Sequence, residues 1–230
     1  MRDLYELAGT EPDRLFSPYC WRTRMALAHK GLSARTIPWR FTEKDAIAKS
    51  GQGLVPVLVD GDRWIADSWA IAEYLEDAYS DRPPLFGGGA GRALSRFYNN
   101  WTNAVLQPGL IRFALLDVHR HLHEKDKAYF RQSREQRFGQ TLEAFVADRD
   151  RYLDLFRQSL APLRSTLQAQ RFLGGETPLY ADYIVFGAFQ WVRCISDYRV
   201  LAEDDPIAGW RGRMLDLFDG MAGKAKGYPV

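Results

Sequence analysis

The sequence contains no long hydrophobic run, little cysteine and no marked excess of either charge. It lacks a stretch of about 18 apolar residues and an apolar N-terminal segment with a cleavage site, so neither a membrane span nor a secretory signal is predicted. The two cysteines, Cys20 and Cys194, lie too far apart in the sequence to suggest a disulfide framework. A net charge of +2 favours no nucleic-acid or anionic-membrane partner. We therefore expect a soluble, cytoplasmic protein.

The residues that are present have the composition of an ordinary globular protein, with 46% hydrophobic and 26% charged residues in a chain of 230. The N-terminal part alternates between strand and helix patterns. Residues 3–8 alternate as a strand does, and residues 21–32 have helical spacing. Residues 34–40 are typical of a strand that Pro38 confines to the edge of a sheet.

The next segment predicts a hairpin and a second helix. Residues 54–67 contain two short apolar segments joined by an Asp-Gly-Asp turn, which favours a hairpin. Residues 68–79 then follow a helical period, with Ser68 as the expected N-cap. The order strand, helix, strand, hairpin and helix predicts a small α/β domain.

A change of composition near residue 80 predicts a second domain. The segment "SDRPPLFGGGAG" joins two adjacent prolines to three consecutive glycines, which favours a linker over a helix. Beyond it, strand-like alternation almost disappears and helical spacing dominates. We predict an α/β domain over residues 1–81, a linker over residues 82–91 and an all-helical domain over residues 92–230.

The segment "SPYC" at residues 17–20 has the frame of a dithiol redox motif, with serine in place of the first cysteine. N–H groups in the first turn of a helix stabilise an anion, and a serine hydroxyl there would donate a hydrogen bond to a thiolate brought by a ligand. A simple N-cap is the alternative role for Ser17, since serine commonly precedes helices. Cys20 is either a small buried residue or a reactive thiol.

Two further segments contain candidate binding groups. In "VPVL", Pro56 begins a strand, and a cis Val55-Pro56 bond would leave the Val55 backbone free to pair with an extended peptide. A trans proline at the start of a strand is the alternative. At the next helix, Ser68 and the first-turn N–H groups would hold a carboxylate and Asp67 an ammonium group, although an ordinary N-cap pair also explains both residues.

Together the three segments describe one ligand. A thiolate site, a site for extended peptide backbone and a site for the ammonium and carboxylate of an amino acid match the three parts of glutathione. The segments "SPYCWRTRMALAHKG", "GLVPVL" and "DSWAIAEYLE" resemble, in order and spacing, the N-terminal domain of the glutathione transferase superfamily. The resemblance covers nearly the whole chain and implies a thioredoxin-like α/β domain followed by an all-α helical domain.

Within that superfamily the sequence resembles the serine-type members. Segments such as "FLGG" and "LFDGM" most resemble the bacterial lignin β-etherases and related fungal transferases. The resemblance implies that Ser17 stabilises the thiolate, that Val55 and Pro56 bind the peptide backbone, and that Asp67 and Ser68 hold the γ-glutamyl group. Further candidate glutathione-binding residues are Lys44 and Gln52.

One helix of the second domain departs from the family pattern. Family members open this helix with Ser or Thr three residues before an Asp, whereas here Leu179 stands three residues before Asp182. We therefore expect the Asp182 carboxylate to hold the turn without the reciprocal bond of a capping box.

The acceptor site is expected on the aromatic and amide-rich segment 96–109, across a cleft from the first domain. An aromatic stripe that belongs to the core is the alternative. His119 and His123 lie four residues apart but lack the order of a metal-binding motif, so no metal site is expected. The candidate acceptor residues are Tyr98, Trp101 and Asn103, with Tyr19 and Phe113 as apolar walls.

The function predicted from these features is transfer of glutathione to a hydrophobic, aromatic electrophile, with aryl-ether cleavage among the candidate reactions. Two alternatives remain open. One is a glutathione-dependent thiol reductase that uses Cys20, and the other is a non-enzymatic binding protein of the same fold. The resemblance also implies a homodimer.

Overall fold

A computed structural model of the protein describes residues 1–229. Its N-terminal part is built on one sheet with the strand order β2-β1-β3-β4, in which β1 and β2 are parallel and the other neighbours are antiparallel. The strands are β1 (Arg2–Leu7), β2 (Arg35–Trp39), β3 (Val57–Asp60) and β4 (Arg63–Ala66).

The sheet confirms two predictions from the sequence. Strand β2 lies at an edge, as expected from Pro38, which has no N–H to donate to a further strand. Strands β3 and β4 form the predicted hairpin, and Gly61 supplies the positive φ of 61° that its turn requires.

Two helices complete this domain, α1 (Pro18–His29) and α2 (Ser68–Ala78), together with a 3₁₀-helix at Lys44–Ser50. Helix α1 begins three residues before the predicted segment 21–32, because Ser17 caps it and Pro18 stands at its first position. Helix α2 packs against α1. The two helices and the sheet make up the predicted α/β domain.

From Gly89 onward the chain is helical, which confirms the predicted all-α second part. Helix α3 begins inside the segment 82–91 that was expected to be a linker. A π-helical turn at Thr102–Leu106 separates α3 from α4. The helices are α3 (Gly89–Trp101), α4 (Gln107–His121), α5 (Glu124–Phe138), α6 (Leu142–Val146), α7 (Arg149–Ser159), α8 (Ala161–Ala169), α9 (Tyr180–Ile195) and α10 (Pro206–Gly220).

Helix α9 is the central element of the core, because every one of its residues except Arg193 is buried. It packs closely on α1. A Cβ at Gly187 would lie 2.4 Å from the carbonyl oxygen of Pro18, so this approach requires glycine. The contact therefore locates the first turn of α1, and with it Ser17.

The start of α9 has the expected half of a capping box. The Asp182 carboxylate accepts bonds from the N–H groups of Leu179 (3.0 Å) and Leu173 (2.7 Å) and from Nε1 of Trp210 (2.9 Å). The Leu179 side chain returns no such bond, since it has no polar atom.

Among residues 1–229, no helix combines the length and apolar character that crossing a membrane requires.

Candidate functional site

A pocket of about 560 Å³ lies between the α/β domain and the helical domain. One wall comes from the start of α1 and the segment before β3, and we call it the first wall. The opposite wall comes from α4, α5, α6 and the loop after β2, and we call it the second wall. The residues of the first wall used below are Ser17, Tyr19 and Val55, and those of the second are Phe41, Arg112, Phe130, Arg134, Arg137, Phe138 and Phe145.

Ser17 lies at the mouth of α1 with extended backbone, and its Oγ accepts a bond from the Cys20 N–H at 3.2 Å. The side chain is thus an N-cap, as one sequence interpretation proposed. A hydroxyl that accepts one bond still has its hydrogen to donate, so the cap does not exclude the functional role. Ser17 is 4% exposed and lines the pocket.

The backbone at the start of α1 supplies a second donor, of the kind that the sequence analysis expected in the first helical turn. Pro18 has no N–H, and the Tyr19 N–H bonds to no acceptor within residues 1–229. Tyr19 lines the pocket next to Ser17. An anion held at Ser17 would therefore also lie near a free first-turn N–H and the positive end of the helix dipole.

Val55 lies at the predicted backbone site. The Val55-Pro56 peptide bond is cis, Val55 lines the pocket, and Pro56 is buried beneath it. Neither the N–H nor the carbonyl of Val55 bonds to another group within residues 1–229. These two groups are available to an extended peptide backbone.

The start of α2 differs from the prediction in its cap. Asp67, not Ser68, is the N-cap, with a positive φ of 75° and with Oδ1 accepting from the N–H groups of Trp69 (2.8 Å) and Ala70 (3.2 Å). The sequence analysis expected these two N–H groups to hold a ligand carboxylate. They are not free to do so, because Asp67 already accepts both bonds. Ser68 is the first helical residue, and its own N–H has no partner within residues 1–229. Asp67 is exposed and keeps Oδ2 for a cation.

The remaining glutathione candidates, Lys44 and Gln52, lie outside the pocket walls. Lys44 is exposed, and its Nζ is 5.5 Å from the ring centre of Tyr129 on α5. Gln52 is half-buried, and its carbonyl accepts a bond from the Ser50 hydroxyl at 3.3 Å.

The acceptor candidates separate into two groups. Tyr19 and Asn103 line the pocket, whereas Tyr98 and Trp101 do not and pack against the core. Phe113 as an apolar wall is wrong, because it is 1% exposed and stacks on Tyr198 in the helical domain, with ring centres 5.3 Å apart. The periodicity of α4 turns Phe113 away from the pocket, so the core alternative holds for this residue.

Arg22 connects several of these groups and was not among the predicted site residues. It is fully buried, and its guanidinium donates to Oδ1 of Asn99 at 2.8 Å and to Oδ1 of Asn103 at 3.0 Å. The same guanidinium lies 4.5 Å from the Tyr19 ring centre. Burial lowers the pKa of Arg22. Arg22 thereby holds together pocket residues from both domains.

The sequence analysis also did not identify the residues of the second wall as part of the site. Helix α5 presents Phe130, Arg134, Arg137 and Phe138 to the pocket, and this spacing places them on one helical face. The buried Asp126 on the same helix accepts bonds from the N–H groups of residues 41 and 42, which fixes the loop that carries Phe41. The repeated Phe and Arg spacing in "FRQSREQRF" was the available signal.

The two cysteines have the properties of structural thiols. Cys20 is 1% exposed, and burial, together with the Glu6 charge, raises the pKa of its thiol to about 12. Burial likewise raises the pKa of Cys194 to about 12. A thiol with so high a pKa is almost entirely protonated at neutral pH and is a poor nucleophile.

The histidines that suggested a metal lie on different elements. His119 is in α4, whereas His123 caps α5 by accepting a bond from the Lys125 N–H at 3.3 Å. Over residues 1–229, no group of three or more His, Cys, Asp or Glu side chains is placed to bind a metal ion.

Known protein families match both domains. The family described as glutathione S-transferase, C-terminal domain, matches residues 93–218, more than half of the chain. The family described as glutathione S-transferase, N-terminal domain, matches residues 16–78. The chain therefore belongs to the glutathione S-transferase family.

Individual relatives agree with this assignment. Glutathione S-transferase Z1 of Arabidopsis thaliana is 33% identical over 127 residues, which are 51% of this chain and 56% of that protein. The chain thus spans about half the length of curated relatives such as this one.

Solved structures show the same fold. A glutathione transferase of Phanerochaete chrysosporium is 27% identical, with a TM-score of 0.76 over 97% of this chain and 93% of that one. A glutathione S-transferase of Ceriporiopsis subvermispora in complex with glutathione is 24% identical, with a TM-score of 0.80 over 95% of this chain and 96% of that one. The thioredoxin-like N-terminal domain and the helical C-terminal domain are confirmed.

Proposed function

We propose that this protein is a glutathione transferase that stabilises the glutathione thiolate at Ser17 for attack on a hydrophobic, aromatic electrophile, with aryl ethers in that class. The observation that carries the proposal is the position of Ser17. Its hydroxyl caps α1, keeps a hydrogen to donate, and lines a pocket whose opposite wall is aromatic. The solved relative that contains glutathione supports the choice of thiol.

The chemistry follows from the groups at the mouth of α1. A hydrogen bond from Ser17, the free Tyr19 N–H and the helix dipole all stabilise the thiolate over the thiol and so lower the thiol pKa. The thiolate attacks the carbon that bears the leaving group. A carbon–sulfur bond forms, the bond to the leaving group breaks with its electron pair, and the thiol proton passes to solvent.

The peptide part of glutathione lies, in this proposal, along Val55 and Pro56. The unpaired Val55 backbone groups bind it as an added strand would be bound. The γ-glutamyl ammonium lies at Asp67, and its carboxylate lies at the N–H and hydroxyl of Ser68. Lys44 and Gln52 are further contacts for the rest of the peptide.

The reductase alternative lacks geometric support, because Cys20 is buried and lies outside the pocket lining. The binding-protein alternative is separated by experiment. Retention on immobilised glutathione, with calorimetry, measures binding, and conjugation to chlorodinitrobenzene measures transfer. Binding and conjugation together support the proposal, binding without conjugation favours a binding protein, and loss of both overturns the proposal.

We also propose a homodimer in which the N-terminal domain of one subunit contacts the helical domain of the other. Helix α3 supports this arrangement, because Leu94 and Phe97 are 48% and 61% exposed on its surface. Sedimentation at micromolar concentration tests it, and a monomer mass would contradict it.

A further inference from the structure

The second wall carries a concentration of positive charge. Arg112, Arg134 and Arg137 all line the pocket, and its lining within residues 1–229 contains no Asp or Glu. The proposed placement of glutathione, along Val55 with its γ-glutamyl group at Asp67 and Ser68, assigns no role to these three cations. They therefore indicate a property of the acceptor that the proposed function does not include.

None of the three guanidinium groups has a carboxylate partner among the described residues. Arg112 donates to the Phe145 carbonyl at 3.3 Å, Arg134 donates to the Ser133 hydroxyl at 3.0 Å, and the Arg137 guanidinium makes no hydrogen bond within residues 1–229. Arg131, one turn earlier on α5, shows the contrast, because its guanidinium bonds to both Glu135 and Glu143.

Each free guanidinium lies against an aromatic ring of the same wall. The Cζ of Arg134 is 4.7 Å from the centre of the Phe130 ring, that of Arg112 is 4.8 Å from Phe145, and that of Arg137 is 5.6 Å from Phe138. Such contacts hold a cation in place but do not neutralise it. The wall thus combines rings, which pack on an aromatic ligand, with fixed positive charge.

Arg134 is half-buried, whereas Arg137 is exposed. Burial, and to a lesser degree the Arg137 charge, lower the pKa of the Arg134 guanidinium. An arginine nevertheless remains charged in proteins, so the group stays a cation without a counterion. A bound anion would offset both the cost of burying this charge and its repulsion by Arg137.

From this arrangement we propose that the acceptor is an aromatic electrophile that carries a carboxylate, bound with its ring against the phenylalanines and its carboxylate at Arg134 and Arg137. The inference rests on the proposed function and names the substrate class of the same site. Guanidinium groups bind carboxylates through charge-assisted, often bidentate bonds, which explains the choice of arginine.

The test compares two acceptors, chlorodinitrobenzoate and its neutral carboxamide, which share the reacting carbon and the chloride leaving group. Rates are divided by the uncatalysed rate of each acceptor with glutathione. We expect the wild-type kcat/KM to favour the benzoate by roughly 10-fold or more, the range for a hydrogen bond to a charged group. Arg134→Gln and Arg137→Gln should each remove most of this preference, measured in each variant as the ratio of kcat/KM for the benzoate to kcat/KM for the carboxamide.

Arg131→Gln is the matched control, because it removes the same charge from the same helix at a position that is already paired. Equal wild-type rates on both acceptors, or a benzoate preference that survives in both Arg134→Gln and Arg137→Gln, would overturn the inference. Calorimetry with dinitrobenzoate separates the two proposals. If dinitrobenzoate binds, only the Arg134 and Arg137 variants weaken that binding, and neither acceptor is turned over, the proposed function alone is overturned. If dinitrobenzoate does not bind and neither acceptor is turned over, both proposals are overturned.

Discussion

The two walls of the pocket bind by different means. The first wall offers backbone groups and one hydroxyl, namely Ser17 Oγ, the Tyr19 N–H and the Val55 backbone, each placed by the start of a helix or strand. The second wall offers only side chains, rings and guanidinium groups, from three helices and a loop. Backbone donors suit a constant ligand such as a peptide, whereas a wall of side chains can change with few substitutions.

The largest expected effect tests whether the first wall holds the chemistry. Ser17→Ala should lower the turnover of glutathione conjugation by roughly 10²-fold, the usual cost of removing one preorganised donor from a developing anion. It should also lower the free energy of unfolding by about 1 kcal/mol, because the cap of α1 is lost. Steady-state kinetics and urea unfolding measure the two effects.

The control for this experiment is Cys20→Ala, which removes a buried thiol outside the pocket and should leave turnover nearly intact. An inactive Cys20→Ala protein with an active Ser17→Ala protein would restore the reductase interpretation.

A smaller effect is expected at Asp67, the proposed γ-glutamyl site at the start of α2, which lies outside the pocket lining. Asp67→Asn removes the charge that would hold the ammonium, but it keeps an oxygen for the cap and a side chain of the same shape at the positive φ of 75°. Glutathione affinity measured by calorimetry should fall by about 1–3 kcal/mol, with stability nearly unchanged. Asp62→Asn, an exposed residue of the β3–β4 turn, should have no effect on affinity. Unchanged binding in Asp67→Asn would disprove the assignment.

The contact beneath the first wall can be tested with a pair of glycines. Gly187→Ala places a Cβ 2.4 Å from the Pro18 carbonyl oxygen and should destabilise the protein by about 1–3 kcal/mol, the cost of overpacking a tight contact. Gly212→Ala in α10 meets no atom within 4 Å and should stabilise it by up to about 1 kcal/mol. Urea unfolding measures both. Equal effects would show that the α1–α9 approach is not tight.

The smallest expected effect is at the two cysteines, which should hardly react with an alkylating reagent in the folded protein. Because burial raises the thiol pKa of Cys20 and Cys194 to about 12, both should resist iodoacetamide at mildly alkaline pH in the folded protein. Labelling should rise with pH, since the thiolate fraction rises, and should be complete after unfolding. Mass spectrometry of the native protein gives the result, and rapid native labelling of Cys20 would contradict it.

Much of the α/β domain, including the first wall, could be predicted from the sequence by itself. Ser17 before a helix, Pro56 at the start of a strand and the hairpin turn at Gly61 are local features, in which the relevant atoms lie within about four residues of one another. The alternation of strands and helices followed by helices alone determined the fold class for the same reason. Even so, the exchange of cap between Ser68 and Asp67 depended on side-chain geometry that periodicity does not contain.

The second wall was decided only by the tertiary structure. Helical spacing shows which residues of α4 and α5 share a face, but it does not show which neighbour covers that face. Packing turned Phe113 into the core beside Tyr198 and left Phe130 and Arg134 at the pocket. Arg22 reached Asn99 and Asn103 because two domains meet there. Such long-range contacts depend on how whole elements pack, and no local sequence pattern specifies that.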